Sequence, residues 1–187
     1  MNKKLTTKKI VLTALMAALT VIGSYIRVKV PVDIGGPAAF HLGNIMCALS
    51  GLLLGPGLGG LAAGLGSALY DIFLDPAYFS ECWLTFLMKG SYGLVAGLVA
   101  WAGSKKWGYI KAVLASLSGA VTYALLYLSK TYLKAVFIQG VAHDAGMIAV
   151  VGKLPATVFN AAVAVIFAPI LGMAIRKALD RSHIHLD

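Results

Sequence analysis

The sequence predicts an all-α integral membrane protein of six transmembrane helices with both termini in the cytoplasm, and three observations predict it. Of its 187 residues 59% are hydrophobic and only 12% charged, at a mean hydropathy of +0.85. A soluble domain carries about 25% charged residues, so the solvent here is lipid. Apolar runs of the roughly 17 to 25 residues needed to cross a bilayer as a helix recur along the whole chain, and the basic residues collect on one side of them.

The first run covers residues 9 to 28, behind Lys3, Lys4, Lys8 and Lys9. No small-residue cleavage site of the A-x-A kind follows it, so it reads as a retained span rather than a signal peptide. The next stretch, "FHLGNIMCALSGLLLGPGLGGLAAGLGSALYDIF", is too long for one crossing and is cut by Gly55, Pro56 and Gly57. It gives two spans, 41 to 54 and 57 to 75. Residues 83 to 103, 109 to 133 and 154 to 176 supply the remaining three. Between them, residues 29 to 40 hold two prolines and a Gly-Gly pair that favour an irregular, bendable lid. Residues 134 to 153 read as a long, semi-apolar loop with Gln139, His143 and Asp144 as its polar points. With no long linker, low-complexity tract or clear repeat, residues 1 to 187 form one domain.

Charge orients the bundle. An even number of spans puts both termini on one side, and that side carries Lys3, Lys4, Lys8, Lys9, Lys105, Lys106, Lys111, Arg176, Lys177 and Arg181, most of the 16 basic residues. Arg27, Lys29, Lys89, Lys130, Lys134 and Lys153 fall on the other side or in the outer half of a span, accompanied by Asp33, Asp71, Asp75, Glu81 and Asp144. The positive-inside rule therefore places the termini in the cytoplasm. The net charge of +9 sits in short juxtamembrane clusters suited to topology and anionic membrane lipid rather than to nucleic acid. Cys47 and Cys82 are too few and too far apart for a disulfide framework or a metal motif. Without a Walker A loop, a metal-ligand cluster or a G-x-S-x-G, the sequence calls for no cofactor and shows no catalytic residues.

Small residues mark where helices meet, because lipid supplies no hydrophobic drive between them. Gly60 with Gly64 and Gly93 with Gly97 form G-x-x-x-G pairs read as internal packing. Ala14 and Ala18, with Ala17, make a smooth strip on the first span that suits either a sister helix or another membrane protein.

The polar residues converge on the outer half. His41 and Asn44 open the second span on one face; Asp71 lies about one turn from the outer end of the third; Lys89 lies roughly 12 Å below the start of the fourth. Tyr123 and Tyr127 share a face of the fifth, and Asn160 stands about two turns into the sixth. Tyr78 and Glu81 border this group from the preceding loop, and His143 joins it from residues 134 to 153. Ionisable groups at such depth face a cavity or a partner, which predicts an outward-facing polar pocket. Asp71 and Lys89 then pair with each other or contact a ligand. Tyr78, Phe79 and Trp83 also sit where an interfacial aromatic belt is expected.

The stretch from Phe40 to Phe73, with "FLMKGSYGLVAGLVAW" and "KLPATVFNAAVAVIFAPIL", resembles the S components of energy-coupling factor (ECF) transporters, the membrane subunits that capture vitamins. Resemblance implies a six-helix fold, a vitamin as ligand, and a module of one transmembrane coupling protein and two ATPases as partner. It also implies that the A-x-x-x-A strip, matched by Ala14 and Ala18, meets the coupling protein. The pocket residues suit a compact, nearly neutral heterocycle, a pyridoxine-like or hydroxymethylpyrimidine-like vitamin; riboflavin, pantothenate, queuosine precursors and cobalamin are the alternatives the resemblance leaves open. The competing reading is an integral-membrane enzyme acting on a lipid or prenyl chain with His41, Asp71 and His143 in its site; a structural subunit or small channel is a third.

Overall fold

The computed structural model describes residues 6–31, 38–104 and 106–182. Lys3, Lys4, Asp33 and Lys105, used above for topology, lie outside them. Five helices among these residues are long and apolar enough to cross a membrane: α1 (Thr7–Tyr25), α2 (Gly43–Phe73), α3 (Cys82–Trp101), α4 (Tyr109–Leu133) and α5 (His143–Arg181).

Helix α2 is where the sequence expected two spans. Its 31 residues contain one non-helical residue, Gly55, at φ 77° and ψ −174°. Pro56 forces this: a residue before proline is pushed out of the helical region, and a positive φ is tolerated by glycine because it has no Cβ. The chain doubles back there. Cys47 Sγ lies 3.9 Å from Ser67 Oγ, whereas 20 residues of straight helix would separate them by about 30 Å. The two arms, 43–54 and 56–73, cross where Gly59 lies against Gly51: a Cβ on Gly59 would sit 2.6 Å from the Gly51 Cα.

The break leaves one carbonyl to account for. Pro56 has no N–H, so the Leu52 carbonyl four residues earlier loses its helical donor. Two indoles replace it. Trp101 Nε1 and Trp107 Nε1 each donate to the Leu52 oxygen at 3.0 Å, which satisfies a backbone group that hydrocarbon could not.

The second arm of α2 packs on α3 through the predicted glycines. A Cβ on Gly60 would meet the Gly90 carbonyl at 2.9 Å, one on Gly64 the Phe86 carbonyl at 2.8 Å, and one on Gly93 the Gly59 carbonyl at 2.6 Å. The G-x-x-x-G pairs are thus an internal seam. Helix α1 buries Thr13, Met16, Ala17, Thr20, Gly23 and Ser24, a helical stripe against α2, and its buried hydroxyls bond back to their own helix, Thr20 to Met16 at 2.8 Å. Ala14 and Ala18 face the other way and are exposed.

Two connections differ from expectation. Residues 29 to 40 are not wholly irregular: β1 (Arg27–Val30) pairs antiparallel with β2 (Ala38–His41), Arg27 opposite His41. The alternating "RVKV" favours a strand, and Leu42 N–H donates to the Gly23 carbonyl at 3.1 Å, closing the hairpin onto the end of α1. Residues 134 to 153 are not a long loop. Lys134–Ile138 continue α4 as a π-helical turn, Gly140 turns the chain at φ 68°, and α5 starts at His143. The span expected from 154 is the later part of this helix, and Pro155 and Pro169 both lie inside it. The apolar "MIAVV" and Asp144 in the first turn carry the helix back three turns before that expected start.

Candidate functional site

One end of the bundle gathers the hairpin, the end of α1, both ends of α2, the 3₁₀ turn Pro76–Glu81, and the adjoining ends of α3, α4 and α5. Together they enclose a cavity of about 80 Å³. Every one of these elements contributes to its lining: Ser24 from α1, Arg27 and His41 from the hairpin, Asp71 from α2, Tyr78 from the turn, Lys89 from α3, Tyr123 and Tyr127 from α4, and Asn160 from α5.

Lys89 and Asp71 are each only 5% exposed, yet no ion pair joins them among the described residues. Lys89 Nζ donates to Asn44 Oδ1 and stands 4.1 Å from the centre of the Tyr123 ring. Asn44, 1% exposed, is therefore a support behind the cavity and does not line it. Asp71 takes its hydrogen bond from the Thr85 hydroxyl, one turn before Lys89 on α3. The direct pair envisaged from the sequence is replaced by two separately held charges.

Two other acids are clamped. Asp75, just before the 3₁₀ turn, receives Arg27 at 2.7 Å and Lys29 at 2.9 Å, and Arg27 also stacks 4.1 Å over the Tyr70 ring. Glu81, at the end of the turn, is held by Lys130 and Lys134. The turn is thus a strap tied at both ends, with Tyr78 between the ties on the cavity wall. Glu81 does not line the cavity; its part is to hold the strap.

His41 is fixed twice. Its backbone N–H donates to Asn160 Oδ1 at 2.9 Å, and its Nδ1 accepts from Gly43 N–H at 3.1 Å. Burial, helped by the Lys89 and Arg27 charges, holds the imidazole well below the usual histidine range, so the ring is neutral and Nε2 carries its proton. Asn160 Nδ2 in turn donates to the Ala39 carbonyl at 2.7 Å, bonding α5 to strand β2. Tyr123 lies parallel to Tyr127, centroids 5.7 Å apart and planes 15° apart, and near Tyr92 at 6.0 Å. These rings form a flat wall leading from the core to the mouth.

Of the residues singled out from the sequence, His41, Asp71, Tyr78, Lys89, Tyr123, Tyr127 and Asn160 come together here. His143 does not: it is exposed and engages Tyr132, whose hydroxyl is 2.5 Å from its Nδ1. That separates it from His41 and Asp71, with which the enzyme reading had grouped it. Phe79 and Trp83 are each 59% exposed, as belt residues are. The sequence reading missed Arg27 and Lys130, taken as topology charges, and Ser67, Tyr70, Thr85 and Thr157. The signal was present in the spacing: Ser67 and Tyr70 stand four and one before Asp71, and Thr85 four before Lys89, so helical faces drawn through the two charges include Ser67 and Thr85.

This architecture is that of a membrane S component. Over 90% of the chain it matches the crystal structure of the S component for biotin from an ECF-type ABC transporter, at a TM-score of 0.63 and 17% identity, covering 94% of that chain. That likeness defines the fold. Residues 4–177 match the family described as ECF-type riboflavin transporter, S component, and the chain belongs to that family. A relative from Pyrococcus woesei, the "uncharacterized protein in gap 3′ region", is 32% identical over 115 residues, 62% of this chain and 72% of that one.

Proposed function

We propose that the protein is the substrate-capture subunit of an ECF-type vitamin transporter, holding its ligand in the cavity at the hairpin end. The observation that carries this reading is the cavity itself: polar side chains from every helix and from the hairpin meet at one end of an otherwise apolar bundle. In this reading each arm of α2 crosses, giving six crossings in one domain with both termini on the cytoplasmic side of the cell membrane; the collection of basic residues on that side supports it. Its partners are a transmembrane coupling protein and two ATPases, met through the exposed Ala14 and Ala18 strip. The ligand is a vitamin or vitamin precursor: the pocket residues suit a compact, nearly neutral heterocycle of the pyridoxine-like or hydroxymethylpyrimidine-like kind, while the family match favours riboflavin, the substrate in that family's description. His41, Asp71, Tyr78, Lys89, Tyr123, Tyr127 and Asn160 line its site, while Asn44 and Glu81 support it.

The purified chain should bind one such vitamin saturably, and mass spectrometry should find the same molecule co-purified from cells. Turnover of a lipid without ATPase partners, and no saturable vitamin binding, would sink the reading. Engineered cysteines at 140–146 should label from outside sealed cells while one at 106 stays protected; reversed accessibility would invert the pocket.

A further inference from the structure

Arg176 lies about 24 Å beyond Asn160 along α5, at the end of the bundle away from the cavity, and a second recess opens beside it. This recess measures about 450 Å³ and is lined by Trp107, Met173, Arg176, Lys177, Asp180 and Arg181. The five residues from α5 recur at the spacing i, i+3, i+4, i+7, i+8 that marks one helix face. The opposite wall is Trp107, and it is rigid. Its Nε1 donates to the Leu52 carbonyl at 3.0 Å, and Gly172 admits its ring, since a Cβ there would stand 3.0 Å from Trp107 Cη2. The Arg176 guanidinium lies 5.4 Å from the centre of that indole.

Three cations line this recess against one carboxylate, so it favours an anion. Basic residues near a helix C-terminus also suit the helix dipole, but the dipole does not account for what adjoins them. Ile166, Ile170 and Met173 are all exposed and continue the same face of α5 toward the hairpin end. An apolar row that ends in cations matches a molecule built of hydrocarbon chain and anionic head. A free phosphate or an acidic protein segment would use the charged half alone. Lys111, at the same end of the bundle, donates instead to the Ala102 and Ser104 carbonyls and belongs to the turn between α3 and α4.

We infer that this recess holds one phospholipid with an anionic headgroup, its phosphate among Arg176, Lys177 and Arg181 and its acyl chains along Met173, Ile170 and Ile166. Arginine offers phosphate oxygens a planar fork and lysine a point charge. A zwitterionic phospholipid has the same chains and phosphate, but its headgroup cation meets the cluster as a like charge. The site is independent of what the cavity captures, so its failure would leave the capture reading standing.

The test mixes the full chain, purified in detergent, with equal amounts of dioleoyl phosphatidylglycerol and dioleoyl phosphatidylcholine and counts the bound lipid by native mass spectrometry. Phosphatidylglycerol should be favoured by at least about tenfold, since each basic residue near an anionic headgroup contributes about fivefold. Lys177→Gln combined with Arg181→Gln should bring that preference below about threefold; both residues are exposed, so the exchange leaves the packed bundle untouched. Lys8→Gln combined with Lys9→Gln removes the same charge from α1 at the same end and should leave the preference in place. The inference is overturned if the unaltered chain shows no preference, if the preference survives in the α5 double variant, or if both double variants lose it equally, which is charge attraction without a site. Displacement of the lipid by equimolar glycerol 1-phosphate, or by equimolar hexaglutamate, would overturn it as well, because neither carries an acyl chain.

Discussion

Lys89 keeps its ammonium in a membrane by leaning on Asn44 and the face of Tyr123, and this fixes what its removal does. In Lys89→Met the Asn44 oxygen loses its donor while buried, a loss of about 1–3 kcal/mol of stability. Asp71→Asn keeps a side chain that still accepts from Thr85, so its stability should change little. Both should weaken ligand binding by more than about tenfold. Because the two charges are held separately, the double variant should recover neither property. Were they one structural pair, each single change would cost about 3–5 kcal/mol and the double would restore it; equilibrium binding and thermal unfolding on the three proteins separate these outcomes. At this scale the sequence was legible where a charge sits in oil. It was silent on partners, because Asn44 lies 45 residues from Lys89 and Arg27 lies 48 from Asp75, and only the packed helices bring them together.

Helix α2 owes its turn to two residues and its tolerance of the turn to two others. Gly55 and Pro56 bend it, and Trp101 and Trp107 give the Leu52 carbonyl the donors that the bend removes. Trp107→Phe leaves one donor and should cost about 0.5–1.5 kcal/mol. The double variant Trp101→Phe with Trp107→Phe leaves the carbonyl without either indole, and its loss should exceed the sum of the two single losses. Thermal unfolding of the purified proteins measures this; strict additivity would mean that the indoles act by packing alone. The break itself was readable from Gly55–Pro56–Gly57, and so was the glycine seam of α2 with α3. The early start of α5 was not, because Pro155 reads as a helix boundary, and in α5 the packed bundle outweighs that local preference. The hairpin was hidden for a similar reason: four-residue strands give too short a pattern to stand out beside prolines and glycines.

At the scale of the whole molecule, the proposed function gives two regions separate tasks: the polar end would hold a ligand, and the exposed Ala14 and Ala18 on the flank of α1 would meet a neighbour. Ala14→Trp or Ala18→Trp should therefore leave vitamin binding by the isolated chain nearly unchanged while uptake by cells falls to background, since a bulky ring keeps a second helix from close approach. Loss of binding with assembly intact would mean that the strip packs within the chain. Fold class was legible from hydropathy and charge because a bilayer leaves few architectures open; ligand identity was not, since it depends on a few side chains facing one small space. That space also has a temporal meaning. Pockets for vitamin-sized molecules run to about 300 Å³ or more, against about 80 Å³ for this cavity, so on the proposed capture reading binding would widen it, with the strap tied at Asp75 and Glu81 as the wall that moves. Encounters then wait on the protein: as supply rises, the rate of capture should level off at the rate of unfastening, a ceiling visible in stopped-flow mixing. On the proposed capture reading the same latch would delay escape, making a slow trap suited to scarce ligand and to a long handover.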